Sequence, residues 1–361
     1  MKPRTHYYPT SSGLTEATQA KEATETSKLR GLTVSTLAAS LFVVAVFFTL
    51  IGVALGSTGF ESFLNAISDP VAQQIVEDIR LPRTIGAWLA GALLGLSGAL
   101  AQGLFRNPLA DPYLLGSASG ASLGVASMLV FLGASTDSTS WIFKLGLSGA
   151  AFLGALLAVT LTLLLSRGVQ HTLRLLLAGI IVGVILGALT SLTAMLDPQI
   201  LQSMQSFLLG TTSLLSWSSI LLMGIVWLLC SGASWTLSRA LDALSLGEAT
   251  AISLGLNLRP IRMALIAVLA LSIGVAVAQT GLIAFVGLAA PHLVRSLLKV
   301  THNGLILLSS LMGGLLLLIA DIAARLLIAP EELPVGIFTA ILGGVYLLWL
   351  MYSRDMNQET L

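Results

Sequence analysis

Charge is scarce in this chain. Asp, Glu, Lys and Arg make up 10% of its 361 residues, against about 25% in soluble domains. So few charges cannot cover a water-exposed surface, which excludes a soluble globular protein. They exclude a disordered chain as well, which needs high charge and low hydrophobicity. Cysteine occurs once, as Cys230. That rules out an intramolecular disulfide or a cysteine-rich metal site and leaves a small packing residue in an apolar run. His6, His171, His292 and His302 form no metal-ligand motif. No Gly-Lys pair exists, so the chain has no phosphate-binding loop. A net charge of +1 offers no basic field to nucleic acid. No Ser/His/Asp or His/Glu arrangement stands out as a catalytic site. The expectation is a non-enzyme with no cofactor and no metal.

What is present is apolar sequence. Hydrophobic residues reach 55% and mean hydropathy is +0.92. Apolar runs fall at about 33–56, 84–104, 113–133, 142–166, 174–196, 213–236, 261–281, 287–300, 304–320 and 335–352. Most are near the ~20 residues that cross a bilayer. The fold class expected is an all-α polytopic membrane protein with ten transmembrane helices. A β-barrel is disfavoured, because its strands alternate and seldom give long apolar runs. The run at 287–300 is short and holds Pro291, Arg295 and Lys299, as interrupted spans of transporters do. Residues 58–79 and 197–209 mix apolar and polar positions and suit interfacial helices.

Three segments follow. Residues 1–31 form a polar tail read as disordered, 32–353 a ten-span domain, and 354–361 a C-terminal tail. The run at 33–56 exceeds a signal-peptide core and is read as a retained span. Ten spans put both termini on one side. Placing them in the cytoplasm puts Arg106, Arg167, Arg174, Arg239, Arg259, Arg262, Arg295, Lys299 and Arg354 inside, besides the basic residues of the tail. Arg80, Arg83, Lys144 and Arg325 remain outside, which obeys the positive-inside rule.

A weak inverted repeat is visible. Leu81-Pro82-Arg83 leads to Ala101-Gln102 and then Leu109-Ala110-Asp111-Pro112. Arg259-Pro260 leads to Ala278-Gln279 and then Leu288-Ala289-Ala290-Pro291. The two copies would enter the membrane from opposite sides, as in many transporters. Glycines spaced by four, such as Gly91/Gly95 and Gly120/Gly124, suit close helix packing in lipid. None of the ten runs contains Asp or Glu. Ion-coupled carriers usually keep an intramembrane carboxylate, so the energy source is expected elsewhere.

The longest inner loop, 237–260, carries a second signal. A short helix is expected from Glu248 to Leu254, with Glu248 favourable at the dipole's positive end and Gly255 as its stop. Apolar Ala251, Ile252 and Leu254 on a cytosolic loop suggest a protein partner. The alternative is that this helix packs back on the bundle or the membrane surface. Leu244-Ser245-Leu246-Gly247-Glu248 is superficially like the signature motif of ATP-binding cassettes, a reading that fails without a phosphate-binding loop.

Six ordered motifs carry a family resemblance. They are Arg80-Leu-Pro-Arg83-Thr, Gly103-Leu-Phe-Arg-Asn-Pro-Leu-Ala-Asp-Pro-Tyr-Leu-Leu-Gly116 and Leu246-Gly-Glu-Ala-Thr-Ala-Ile-Ser-Leu-Gly255, then Gly281-Leu-Ile-Ala-Phe-Val-Gly-Leu-Ala-Ala-Pro-His292, Asp321-Ile-Ala-Ala-Arg325 and Glu332-Leu-Pro-Val-Gly336. Over about 33–353 the chain resembles the FecCD-type permeases, membrane subunits of bacterial ABC importers for ferric siderophores, haem and cobalamin. The resemblance implies a multi-pass protein of the bacterial inner membrane, in a homodimer or close heterodimer. It implies a cytosolic ABC ATPase subunit and a periplasmic substrate-binding protein as partners.

The same resemblance assigns roles. Gly247, Glu248, Ala249, Ala251, Ile252, Leu254 and Gly255 match the coupling helix that seats in the ATPase. Arg80, Arg83 and Arg325 match arginines that dock carboxylates of the binding protein. Residue chemistry alone leaves a second reading, in which they anchor helix ends or pair with Asp78 or Asp321. His171 and Thr172 lie at the cytoplasmic gate loop. His292 is read as a structural hydrogen-bonding residue, and Arg295 as facing the cytoplasmic interface or snorkelling. The expected cargo is an iron chelate, a ferric siderophore or haem, with cobalamin as the alternative. An ion-gradient-driven secondary transporter is the rival class, opposed by the carboxylate-free runs and the coupling-like loop.

Overall fold

The computed structural model describes residues 33–55, 69–132, 141–166, 172–196 and 198–358. The tail 1–31 lies outside them. Among the described residues the chain is all-helical, without a strand. Helix α1 (Val34–Ala54) opens on a Thr33/Thr36 capping box, which satisfies two orphan donors. Asp69 caps α2 (Pro70–Ile75), accepting from the Val71 N–H. A π-helical turn (Val76–Arg80) joins α2 to α3 (Leu81–Phe105) in one 36-residue rod. A 3-10 turn (Pro112–Leu115) follows. Then come α4 (Ser117–Leu132), α5 (Trp141–Leu165), α6 (Thr172–Leu196), α7 (Pro198–Leu209) and α8 (Trp217–Ser245). The chain continues with α9 (Glu248–Ser253), α10 (Leu258–Thr280), α11 (Val286–Leu297), α12 (His302–Leu326) and α13 (Val335–Gln358).

Helices α3 and α12 form the axis, because small residues let their backbones meet. A methyl added at Gly91 would lie 2.3 Å from the Gly313 carbonyl oxygen, and one at Gly95 2.1 Å from that of Ser309. The same close approach joins α4 to α5 at Gly120 and Gly154. Around α3 pack α8, α10 and α11, and α1 lies on α12. Helices α5, α6 and α8 form the rim, with large apolar side chains such as Leu157, Val184 and Leu221 exposed. In water such faces would aggregate, and in lipid they are solvated.

Among the described residues seven helices are long and apolar enough to cross a membrane, and Ser117–Phe131 and Val335–Trp349 are shorter apolar helices. The expected run at 287–300 folds as the 12-residue α11. At ~1.5 Å per residue it reaches ~18 Å, short of the ~30 Å hydrocarbon core. Pro291 sits inside it and withdraws the N–H that the Gly287 carbonyl would accept. Helix α3 covers this face: a methyl at Gly98 would lie 1.7 Å from that carbonyl oxygen. Gln102 Nε2 donates to the Leu288 carbonyl at 3.2 Å.

The two repeat copies are both long helices packed on each other, α3 and α10. They diverge afterwards. Pro112 opens the 3-10 turn, whereas Pro291 lies within α11. The expected interfacial segment 197–209 is α7, while Pro70–Arg80 continues directly into α3. Helix α13 runs on to Gln358, into the expected C-terminal tail.

One expectation is corrected. Helix α12 continues past residue 320 to Leu326, so the fully buried Asp321 stands inside a membrane-length helix. Hydropathy falls at Asp321 and Arg325 and hides this last turn. The carboxylate is tolerated because it is neutralised locally, as described next.

Candidate functional site

Polar side chains gather at the two ends of the bundle, about the length of α12 apart. At the end where α12 begins, the chain leaves α8 and turns at Gly247, whose φ of +112° is costly for any side chain. Six residues of α9 follow, and the chain turns again at Gly255, φ +82°. The helix expected over Glu248–Leu254 is therefore present as Glu248–Ser253. Ala251 is fully buried against the bundle. Ala249 and Gly255 are exposed, and Leu246, Ile252 and Leu254 are each more than half exposed. These residues make an apolar face that no described residue covers.

Glu248 does not join that face. Its Oε1 accepts from Arg262 of α10 at 2.5 Å and from Arg106 at 3.4 Å. Arg106 follows α3 in the left-handed conformation, φ +50°, and its N–H donates to the Gly103 carbonyl while that of Asn107 donates to Gln102. This pair of bonds closes the helix and directs the guanidinium toward α9. Glu248 thus clamps α9 to α3 and α10. The sequence contains both arginines but gives no sign that they converge on one carboxylate.

At the opposite end, Arg80, Arg83 and Arg325 are each less than a tenth exposed. Asp321 is the hub. Arg83 donates to its Oδ1 from Nε and Nη2, both at 3.2 Å. Arg325, one turn later on α12, donates to Oδ2, and the Thr212 hydroxyl donates to Oδ1. Arg83 Nη1 also pairs with Glu332 Oε2 at 2.6 Å, on the loop before α13. Arg325 Nη1 donates to the Gly52 carbonyl at 3.1 Å, and Arg80 Nη1 to that of Ala54 at 3.1 Å. The three arginines therefore tie α1, α3, α12 and the α12–α13 loop together. Of the two carboxylates weighed for them from sequence, Asp321 pairs with Arg83 and Arg325. Thr212 and Glu332 carried no such signal.

Elsewhere His292 Nδ1 lies 2.6 Å from the Tyr346 hydroxyl, joining α11 to α13. Arg295, read as facing the cytoplasmic interface or snorkelling, is half-buried and donates to Gln102 Oε1. That buried amide needs a donor once its own N–H₂ is spent on Leu288. His171 lies outside the described residues. Thr172 is the first residue of α6. Among the described residues no group of three or more His, Cys, Asp or Glu is placed to hold a metal ion.

Comparison with known proteins agrees with this architecture. The chain is 38% identical to the hemin transport system permease protein HmuU of Yersinia pestis, over 82% of this chain and 89% of that protein. It is 38% identical to the vitamin B12 import system permease protein BtuC of Escherichia coli O157:H7, over 78% of this chain and 85% of that one. A solved structure of a metal-chelate type ABC transporter in an inward-facing conformation superposes with a TM-score of 0.78. It is 31% identical and covers 88% of this chain and 99% of its own. With a family profile matched over residues 32–353, the chain belongs to the FecCD transport family.

Proposed function

We propose that this chain is the permease subunit of an ATP-driven ABC importer that moves an iron chelate, a ferric siderophore or haem, into the cytoplasm by alternating access. The observation that carries the reading is α9, a short helix clamped from behind by Glu248 with its apolar side uncovered. A loop needs such a face if a cytosolic ATPase is to push on it. Hydrolysis then belongs to that separate subunit. The α9 end is cytoplasmic in this reading, both termini lie there, and ten segments thread the bacterial inner membrane. Two copies form the pathway, and His171 and Thr172 close its cytoplasmic mouth. Relatives named for hemin and for vitamin B12 match at the same identity, so cobalamin is the alternative cargo.

At the other end a periplasmic binding protein docks. Resemblance gives that task to Arg80, Arg83 and Arg325. Arg83 pairs with Glu332, a carboxylate partly open to solvent, which supports an exchange at that pair. An incoming carboxylate replaces Glu332 on Arg83, while Arg80 and Arg325 hold the rim. A gradient-driven carrier is disfavoured, because the buried Asp321 is already neutralised by Arg83 and Arg325 and accepts from the Thr212 hydroxyl.

The test is capture and transport. The ATPase encoded beside this chain should bind the permease in detergent, and Ile252→Glu with Leu254→Glu should abolish binding without lowering thermal stability. Proteoliposomes carrying all three components should accumulate haem, a ferric siderophore or cobalamin with ATP. Uptake driven by an ion gradient without ATP would refute the reading.

A further inference from the structure

The α9 end of the bundle also holds a pocket of about 460 Å³ between the last turns of α8 and the first of α12. That volume is in the range of small-ligand sites. Its polar lining includes Thr236, Arg239, Asp242, Thr301 and Asn303, and Trp235 lines it as well. Two unlike charges share it without pairing. Arg239 makes no ion pair or hydrogen bond among the described residues, though Asp242 lies one turn along the same helix. Asp242 Oδ1 is committed to α12, accepting from the His302 backbone N–H at 2.9 Å and lying 2.7 Å from its Nδ1. Its Oδ2 has no partner among the described residues.

The depth of the pocket is legible from α8. Trp217 and Trp235 are both exposed and bracket its apolar stretch. They are about 18 residues apart, or ~27 Å of helix, close to the thickness of the hydrocarbon core. Exposed tryptophans mark the membrane interface. Arg239 and Asp242 lie one to two turns beyond Trp235, at headgroup level, where pockets between helices take phospholipid headgroups.

We propose that this pocket seats a zwitterionic phospholipid headgroup bearing a primary amine, with its phosphate on Arg239 and its ammonium on Asp242 Oδ2. One cation and one anion a turn apart match the phosphate and ammonium of phosphatidylethanolamine. Arg239 supplies a planar donor set for phosphate oxygens, and the Thr236 and Thr301 hydroxyls and the Asn303 amide are further hydrogen-bonding groups for the headgroup. Asp242 would repel a purely anionic headgroup. A quaternary ammonium could offer it no N–H.

The test is native mass spectrometry of the full chain in detergent, titrated with phosphatidylethanolamine, phosphatidylcholine and phosphatidylglycerol of identical acyl chains. Phosphatidylethanolamine should be retained over both others. Arg239→Gln should lower its occupancy about tenfold. Asp242→Asn keeps an oxygen for the His302 N–H and should erase the preference over phosphatidylcholine. Thermal unfolding confirms that both variants are folded. Equal retention of phosphatidylglycerol, or unchanged occupancy in folded Arg239→Gln, would overturn the proposal. Displacement of the lipid by an equal concentration of soluble phosphoethanolamine would overturn the membrane as the source. No transport or ATPase measurement enters, so failure here leaves the importer reading standing.

Discussion

Asp321→Ala should be among the most damaging single substitutions in the chain. The carboxylate is fully buried, and Arg325 is 2% exposed. Removing one side of a buried pair leaves an uncompensated charge and costs ~3–5 kcal/mol. Arg83 retains Glu332 at 2.6 Å, so the orphan is Arg325. It keeps the neutral Gly52 carbonyl at 3.1 Å and the Thr84 hydroxyl at 3.4 Å, neither of which cancels a full charge. Loss of the acceptor for Thr212 adds ~1 kcal/mol. A second variant separates charge from shape. Asp321→Asn with Arg325→Met removes both charges at similar volume, an exchange that is near neutral for many buried pairs. Compared with Asp321→Asn alone it should be the more stable, and with Arg325→Met as the other single variant the cycle should give a coupling energy of ~2 kcal/mol or more. The assay is unfolding in mixed detergent micelles followed by tryptophan fluorescence. A cost below ~1 kcal/mol for Asp321→Ala, or a double variant no better than Asp321→Asn alone, would refute the reasoning.

Gly98→Ala drives a methyl to 1.7 Å from the Gly287 carbonyl oxygen and should destabilise by at least ~1–3 kcal/mol. Gly232→Ala on α8 meets nothing within 4 Å and should be neutral or stabilising by up to ~1 kcal/mol, so thermal shifts of the pair in detergent check the α3–α11 contact. Glu248→Gln leaves the apolar face of α9 intact but releases it from Arg106 and Arg262. Binding of the ATPase should weaken by up to about tenfold, equivalent to ~1.4 kcal/mol, and unchanged affinity would mean that the clamp does not position α9. Glu332→Gln frees Arg83 for an incoming carboxylate, so the binding protein should associate more tightly and with steeper salt dependence. Weaker association would place Glu332 itself at the docking contact.

Periodicity and punctuation explain what was legible in the sequence. Long apolar runs marked α1, α3, α5, α6, α8, α10 and α12, because burial in lipid and burial in protein both demand apolar residues. Gly247 and Gly255 marked the ends of α9, because each adopts a backbone that glycine alone adopts without strain. Convergence was not legible. Asp321 and Arg325 look like the end of a hydrophobic run until Arg83, 238 residues earlier in the chain, is seen beside them. Arg295 reads as an interfacial cation until Gln102 is placed next to it. Likewise the 12 residues of α11 continue an apolar pattern that says nothing of where the helix starts.

That start has a mechanical consequence. Phe285 opens α11 in the left-handed region, φ +70°, a strained conformation for a bulky residue, worth ~1–3 kcal/mol. Its side chain is a peg in a notch on α13. A methyl at Gly343 would lie 2.3 Å from the Phe285 Cβ. One turn further along α13, Tyr346 meets His292. At the head of α13, the Gly336 N–H donates to the Gly210 carbonyl at 3.2 Å, and Thr211 donates to Thr280 at 2.8 Å. Helix α13 therefore cannot slide along its axis without dragging α11 with it. If α13 moves at all, it swings about the glycine junction at its head as a lever with α11 attached, and any displacement at the far end is geared to the short helix that α3 holds by Gln102.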